Sequence, residues 1–76
     1  MELVHEPQTS VRVLREVLTR EPGTDQENIL VRAGETGVVL SSVPEWHDVE
    51  VALHSRDGQT VWIDEDNLEV APREGA

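Results

Sequence analysis

The sequence predicts an all-β domain, folded as a very small closed or nearly closed barrel, and three observations carry that expectation. The first is composition: among 76 residues there are 12 Val, 7 Leu and 2 Ile, with no Phe and no Tyr. Val is stiff at χ1 and suits a pleated, half-buried surface better than a helix interior. The second is the stretch Val31-Arg-Ala-Gly-Glu-Thr-Gly-Val-Val-Leu40, in which Gly34 and Gly37 open a β-branched run. The third is a clean alternation over residues 49–53, an Asp57-Gly58 turn and a second strand over residues 60–64. An Asp-Gly pair between alternating apolar segments is a strong hairpin signal.

A chain of this length makes one domain. It buries only about 60–65% of the surface its unfolded form exposes, so its stability margin is thin. Residues 1–8 read as a flexible lead-in broken by Pro7, residues 9–72 as the barrel, and residues 73–76 as a disordered polar tail.

Within the barrel, residues 11–18 fit two periods. Val11, Leu14, Val17 and Leu18 match a helical stripe with Ser10 as N-cap, whereas Val11, Val13 and Val17 match one face of a strand; the Val content favours the strand. Residues 20–28 form a long polar loop with a Pro22-Gly23 turn, and loops of that length in small domains are often functional. Ile29 to Val31 leads into the Gly34–Gly37 turn, where glycine supplies positive φ or close backbone approach. Residues 38–43 are the next strand and residues 44–48 a hairpin loop. Val49, Val51 and Leu53 face inward with Glu50 outward; Val61 and Ile63 face inward, which turns Thr60 and Trp62 outward. Asp64-Glu65-Asp66-Asn67 suits one 3₁₀ turn before a last short strand over residues 68–70, and Pro72 ends it. Five strands and one 3₁₀ turn leave no helical layer, and closure into a barrel removes exposed strand edges.

Charge is the second strong feature: 16 acidic residues against 6 basic, a net of −10. That balance opposes a phosphate-backbone binder, which needs a basic footprint, and favours solubility and attraction to basic partners. All the basic residues are Arg, a pattern a GC-rich genome explains. Cysteine is absent, so disulfides and Cys-type zinc sites are excluded. No signal-peptide pattern opens the chain and no apolar run approaches a membrane span, so a soluble cytoplasmic monomer is expected.

These residues resemble the SH3-like barrel as it occurs in three bacterial groups. An uncharacterised family of similar length has a pattern similar to Val17-Leu-Thr-Arg-Glu21, Ala33-Gly-Glu-Thr-Gly-Val-Val39, Asp57-Gly58 and the closing acidic turn into Leu68. The NifZ domain, a nitrogenase maturation accessory, resembles the chain at Val11-Arg-Val13 and Leu30-Val-Arg-Ala-Gly-Glu-Thr-Gly37. CarS, an acidic antirepressor that imitates DNA, resembles it over Gly34 to Val39 and Asp64 to Pro72. The resemblance spans residues 11–72 and implies a five-stranded SH3-like barrel, a fold that hosts many functions.

The candidate chemistry is weighed against simpler readings. His5, His47 and His54 are the only histidines; His47-Asp48 and His54 are placed to approach across a hairpin, but three surface histidines is the simpler reading, and no metal-ligand spacing is present. Ser41, Ser42, His47 and Asp48 contain the ingredients of a hydrolase triad without an evident cleft or oxyanion hole. Gly34 to Gly37 lacks the Gly-Lys-Ser/Thr ending of a phosphate loop and is a structural turn. Asp64, Glu65, Asp66 and Glu69 are the densest acidic cluster; a solvated turn is the simplest reading, an Arg/Lys patch on a partner the next, and calcium the last, since the EF-hand order is missing. Trp46, in a loop, and Trp62, outward on a strand, are the only aromatics, too few for a groove that grips Pro-rich peptides.

The expected function is therefore a non-enzymatic acidic adaptor that needs no cofactor or metal and binds neither nucleic acid nor membrane. It recognises a basic protein surface. Glu50, Asp64, Glu65, Asp66 and Glu69 pair with Arg or Lys, and Trp46 and Trp62 supply apolar anchors. Gly34, Gly37, Asp57 and Gly58 are structural turn residues. The alternatives are a CarS-like mimic that occupies a repressor's DNA-reading helix, a NifZ-like accessory or maturation subunit of a metalloenzyme, and a stability-only domain of a larger chain. The start at Met1 and the short tail weigh against the last.

Overall fold

Apolar alternation becomes strand wherever the sequence shows it. The structure, a computed structural model, describes residues 6–71. Among these residues there are seven strands and three 3₁₀ turns: β1 (Ser10–Val13), β2 (Val17–Thr19), β3 (Ile29–Val31), β4 (Thr36–Val43), a turn at Pro44–Trp46, β5 (Asp48–Leu53), a turn at His54–Arg56, β6 (Thr60–Asp64), a turn at Glu65–Asn67 and β7 (Leu68–Val70). They form two antiparallel sheets, a five-stranded one in the order β6-β5-β4-β1-β7 and the hairpin β2-β3. The edge strands of the larger sheet, β6 and β7, do not pair with each other, so the expected closed or nearly closed five-stranded barrel gives way to an open sheet with a hairpin against it. A single bridge, Arg20 to Trp62, carries the end of β2 to the β6 edge.

The core forms from the inward positions, odd-numbered in every strand but the last. Val11, Val13, Val31, Val39, Val49, Val51, Leu53, Val61, Ile63 and Leu68 are buried together, with Val17 and Ile29 packed at the margin. Val49, Val51 and Leu53 alternate with Asp48, Glu50 and Ala52 on the other face, as the period of two requires. The expected strands over residues 49–53, 60–64 and 68–70 are present, and the 3₁₀ turn before the last strand is in place. Asp64 caps that turn, its Oδ1 accepting from the Asp66 N–H at 2.8 Å.

Residues 11–18 are not one strand. The chain leaves β1 after Val13 and re-enters extended structure at Val17. The Leu14 N–H donates to the Asn67 carbonyl, and exposed Arg15 and Glu16 turn the chain away from the larger sheet toward β3. The three 3₁₀ turns also exceed the one expected, because each hairpin of the β4-β5-β6 meander is closed by one. Both end in a left-handed residue, His47 at φ 59° and Asp57 at φ 55°, and the second is followed by Gly58 at φ 78°. Toward the N-terminus, the Gln8 N–H is bound to the Val39 carbonyl, so this part of the expected lead-in is tied to β4. The expected tail at residues 73–76 and the strand-ending role of Pro72 lie outside the described residues.

The two glycines of the β3-β4 connection do different work. Gly34 sits at φ +93° in the turn Arg32 to Glu35, closed by the Glu35 N–H to the Arg32 carbonyl. That is the positive-φ third position a type II turn assigns to glycine. Gly37 lies within β4, where a Cβ would meet the Ala52 carbonyl oxygen at 2.5 Å and Val51 Cγ1 at 2.6 Å. The close approach of β4 to β5 is possible only without a side chain there. Glu35 then fastens the turn: its carboxylate accepts from the Arg32 N–H at 2.8 Å, the Ser55 hydroxyl at 2.8 Å and Arg56 at 3.1 and 3.2 Å. Arg56 also donates to the Leu30 carbonyl, so one ion pair joins the 54–59 hairpin to both β3 and the 32–35 turn.

Candidate functional site

At the opposite end of β5 from that clasp, three chain segments meet. The Glu65 N–H donates to the His47 carbonyl at 2.8 Å, and His47 Nδ1 lies 3.0 Å from Glu65 Oε2. These two contacts hold the Pro44–Trp46 turn beside the Glu65–Asn67 turn. Asp48, the first residue of β5, stands directly opposite Asp64, the last of β6. The corner thus brings Glu45, Asp48, Asp64, Glu65 and Asp66 onto adjoining turns and strand ends, together with Trp46, which is 72% exposed.

Expected site residues divide accordingly. Trp46, Asp64, Glu65 and Asp66 belong to this corner. Glu50 lies one row along the same face, between Ser41, whose hydroxyl it accepts at 2.7 Å, and Trp62. Trp62 faces away from the core as expected but is half-buried beside the end of β2, where its backbone N–H donates to the Arg20 carbonyl and its backbone carbonyl accepts from the Thr19 hydroxyl. Glu69 sits on the far edge strand, β7, ion-paired to Arg12 through Nε at 2.6 Å and through Nη2. It does not join the corner. Gly34, Gly37, Asp57 and Gly58 are turn or close-approach residues, as expected.

His47 and His54 are not brought together, and His5 lies outside the described residues. His47 pairs with Glu65 at one end of β5, and His54 Nδ1 lies 3.1 Å from the Thr36 hydroxyl at the other. Nor does the structure assemble the triad ingredients, since Ser41 is bound to Glu50 and His47 to Glu65. Among the described residues no group of three or more His, Asp or Glu side chains is arranged to hold a metal ion, and no helix is long and apolar enough to cross a membrane.

Sequence reasoning missed Asp48 as a site residue. The signal was present: a hairpin register that pairs Ala52 with Thr60 also pairs Asp48 with Asp64.

The His47 ring is held in its charged form by the hydrogen bond to Glu65 and by that carboxylate's charge, with smaller help from Asp64 and Asp66, so its pKa lies above 6.5. A raised histidine pKa adds stability that is fully present below the unfolded value and is lost as pH rises through the folded one. A titration of the imidazole resonances by NMR is expected to show His47 titrating above 6.5 in the wild type and returning toward that value in Glu65→Gln. Identical curves for the two proteins would contradict the contact.

Comparison with protein-family models, curated proteins and solved structures finds no match for the chain.

Proposed function

We propose that this chain is a non-enzymatic acidic binding module that recognises a basic surface on another protein, built on an SH3-like arrangement of strands. The arrangement is supported by β1 lying between β4 and β7, by the long β2-β3 hairpin that follows β1, by the 3₁₀ turn before the last strand, and by the Arg20–Trp62 bridge. The binding reading rests on one observation, an exposed Trp46 in a turn that the Glu65–His47 contacts hold beside the acidic Asp64–Asp66 segment. A large exposed aromatic supplies the apolar anchor typical of interface hot spots, and the surrounding charge steers a basic partner and selects against acidic ones.

The test is retention of a partner from a lysate of the cell that encodes the protein. Wild-type bait is expected to hold a partner at low salt and release it at high salt, since exposed charge pairs are screened. Trp46→Ala and Asp66→Lys alter exposed side chains and are expected to abolish retention while leaving the melting curve unchanged. Retention that survives both substitutions and high salt would overturn the reading. Displacement of the partner by a short DNA duplex would assign the same corner to a CarS-like mimic.

A further inference from the structure

The seam between β2 and β6 has a second property. Outside the Arg20–Trp62 bridge lies a mostly polar groove of about 360 Å³, lined by Leu18, Trp62 and the Arg20–Glu27 ion pair and reaching Asp48, Asp64 and Asn67 at its far end. Leu18 is 57% exposed on the wall of this groove. An apolar side chain so placed, next to a half-exposed indole, offers a surface for an aliphatic stem.

The far end carries two facing carboxylates that make no direct ion pair, although the His47 ring lends Asp64 some opposite charge. Asp48 and Asp64 are directly opposed across the β5-β6 ladder, where side chains on one face stand about 5 Å apart at Cβ and like charges repel. The ion pairs of the described residues are made elsewhere: Arg12 with Glu69, Arg20 with Glu27, Arg56 with Glu35 and His47 with Glu65. Neither Asp48 nor Asp64 takes part in one, and Asp64 commits only Oδ1, to the Asp66 N–H.

We propose that this groove receives the side chain of an arginine from an extended segment of the partner protein. The guanidinium lies between the Asp48 and Asp64 carboxylates, and its stem and flanking apolar residue lie along Leu18 and Trp62. A planar, always-charged fork satisfies two carboxylates at once and stacks on an indole face, which an ammonium does less well. The inference deepens the binding reading and rests on it.

The probe is the blocked peptide acetyl-Leu-Arg-Leu-amide, titrated at low salt into the ¹⁵N-labelled protein, with its citrulline counterpart as the uncharged isostere. Saturable shifts are expected at the Leu18, Asp48 and Asp64 amides and the Trp62 indole. The citrulline peptide is expected to bind about tenfold more weakly or less, as loss of a charge-assisted contact implies. Asp48→Asn is expected to weaken the arginine peptide by a similar factor while leaving the melting temperature unchanged or raised, because it also relieves the facing charges. Equal shifts with both peptides, or none with either, would overturn the arginine pocket. Saturable shifts confined to Glu45, Trp46 and Asp66, with Leu18 and the Trp62 indole unmoved, would overturn it while leaving the binding module standing. A partner from lysate that Trp46→Ala releases and Asp48→Asn does not would separate the two in the same way.

Discussion

Replacing Gly37 by valine is expected to unfold the domain or to lower its stability by about 3 kcal/mol, the upper range for forcing extra atoms into a packed interior. The Cβ alone would sit 2.5 Å from the Ala52 carbonyl oxygen, a backbone atom of the neighbouring strand that cannot rotate away. Relief requires β4 and β5 to separate where Gly37 pairs with Leu53, the first rung of the longest ladder of the sheet, and β4 is also paired there to Val11 of β1. Gly34→Ala makes the informative comparison: a Cβ there meets nothing within 4 Å, and the cost is only that of holding alanine at φ +93°, about 1 kcal/mol or somewhat more. Urea melts of the two variants check the order of effects. Equal midpoints would show that packing at Gly37 is not the constraint.

The second large effect is expected at Glu35. Its carboxyl is pulled down to about 2, chiefly by the hydrogen bond from Arg56, against a desolvation that acts the other way, and with further help from the Arg32 N–H, the Ser55 hydroxyl and the charge of Arg56. Glu35→Ala removes the acceptor shared by those donors and leaves the Arg56 head without its carboxylate, a loss of about 2 kcal/mol for charge-assisted bonds of this kind. A depressed carboxyl pKa adds stability above its ordinary value, and that contribution disappears as pH falls from about 4.5 toward about 2. The wild type is therefore expected to lose thermal stability across this interval more steeply than Glu35→Gln, which has no proton to take up. Parallel curves of melting temperature against pH would show that the clasp contributes nothing to acid sensitivity.

Local chemistry made much of this fold legible. The strands at 49–53 and 60–64 follow from alternation and from Asp57-Gly58, and the capped turn at 65–67 follows from an aspartate placed ahead of two more acidic residues. What escaped the sequence depends on partners distant along the chain. The break after Val13 is fixed by Asn67 and Gly34, which bind the Leu14 N–H and the Val13 carbonyl. The half-cover over Trp62 comes from Thr19 and Arg20, and no periodicity of β6 announces it. The role of Gly37 was legible only as one of two options, positive φ or close approach, and the packing of β5 against β4 selects the second. At the candidate site the acidic density was plain, but density alone did not separate Glu69, neutralised by Arg12, from Asp48 and Asp64, which face each other without a direct ion pair.

The pairing of β1 with β7 sets a condition on how the chain is made. Val11 lies beside Val70 and Val13 beside Leu68, so the central sheet gains its last strand only when residues 68–70 are available. Contacts this distant along the chain exact their loop-closure entropy before they return any stabilisation, which slows folding relative to a helical domain of equal size. During synthesis, the first strand must wait on the ribosome with one edge unsatisfied until residue 70 has emerged. The same adjacency makes the two ends of the domain neighbours in space, so that joining them and opening the chain at the 20–28 loop would convert the slowest contact into a local one.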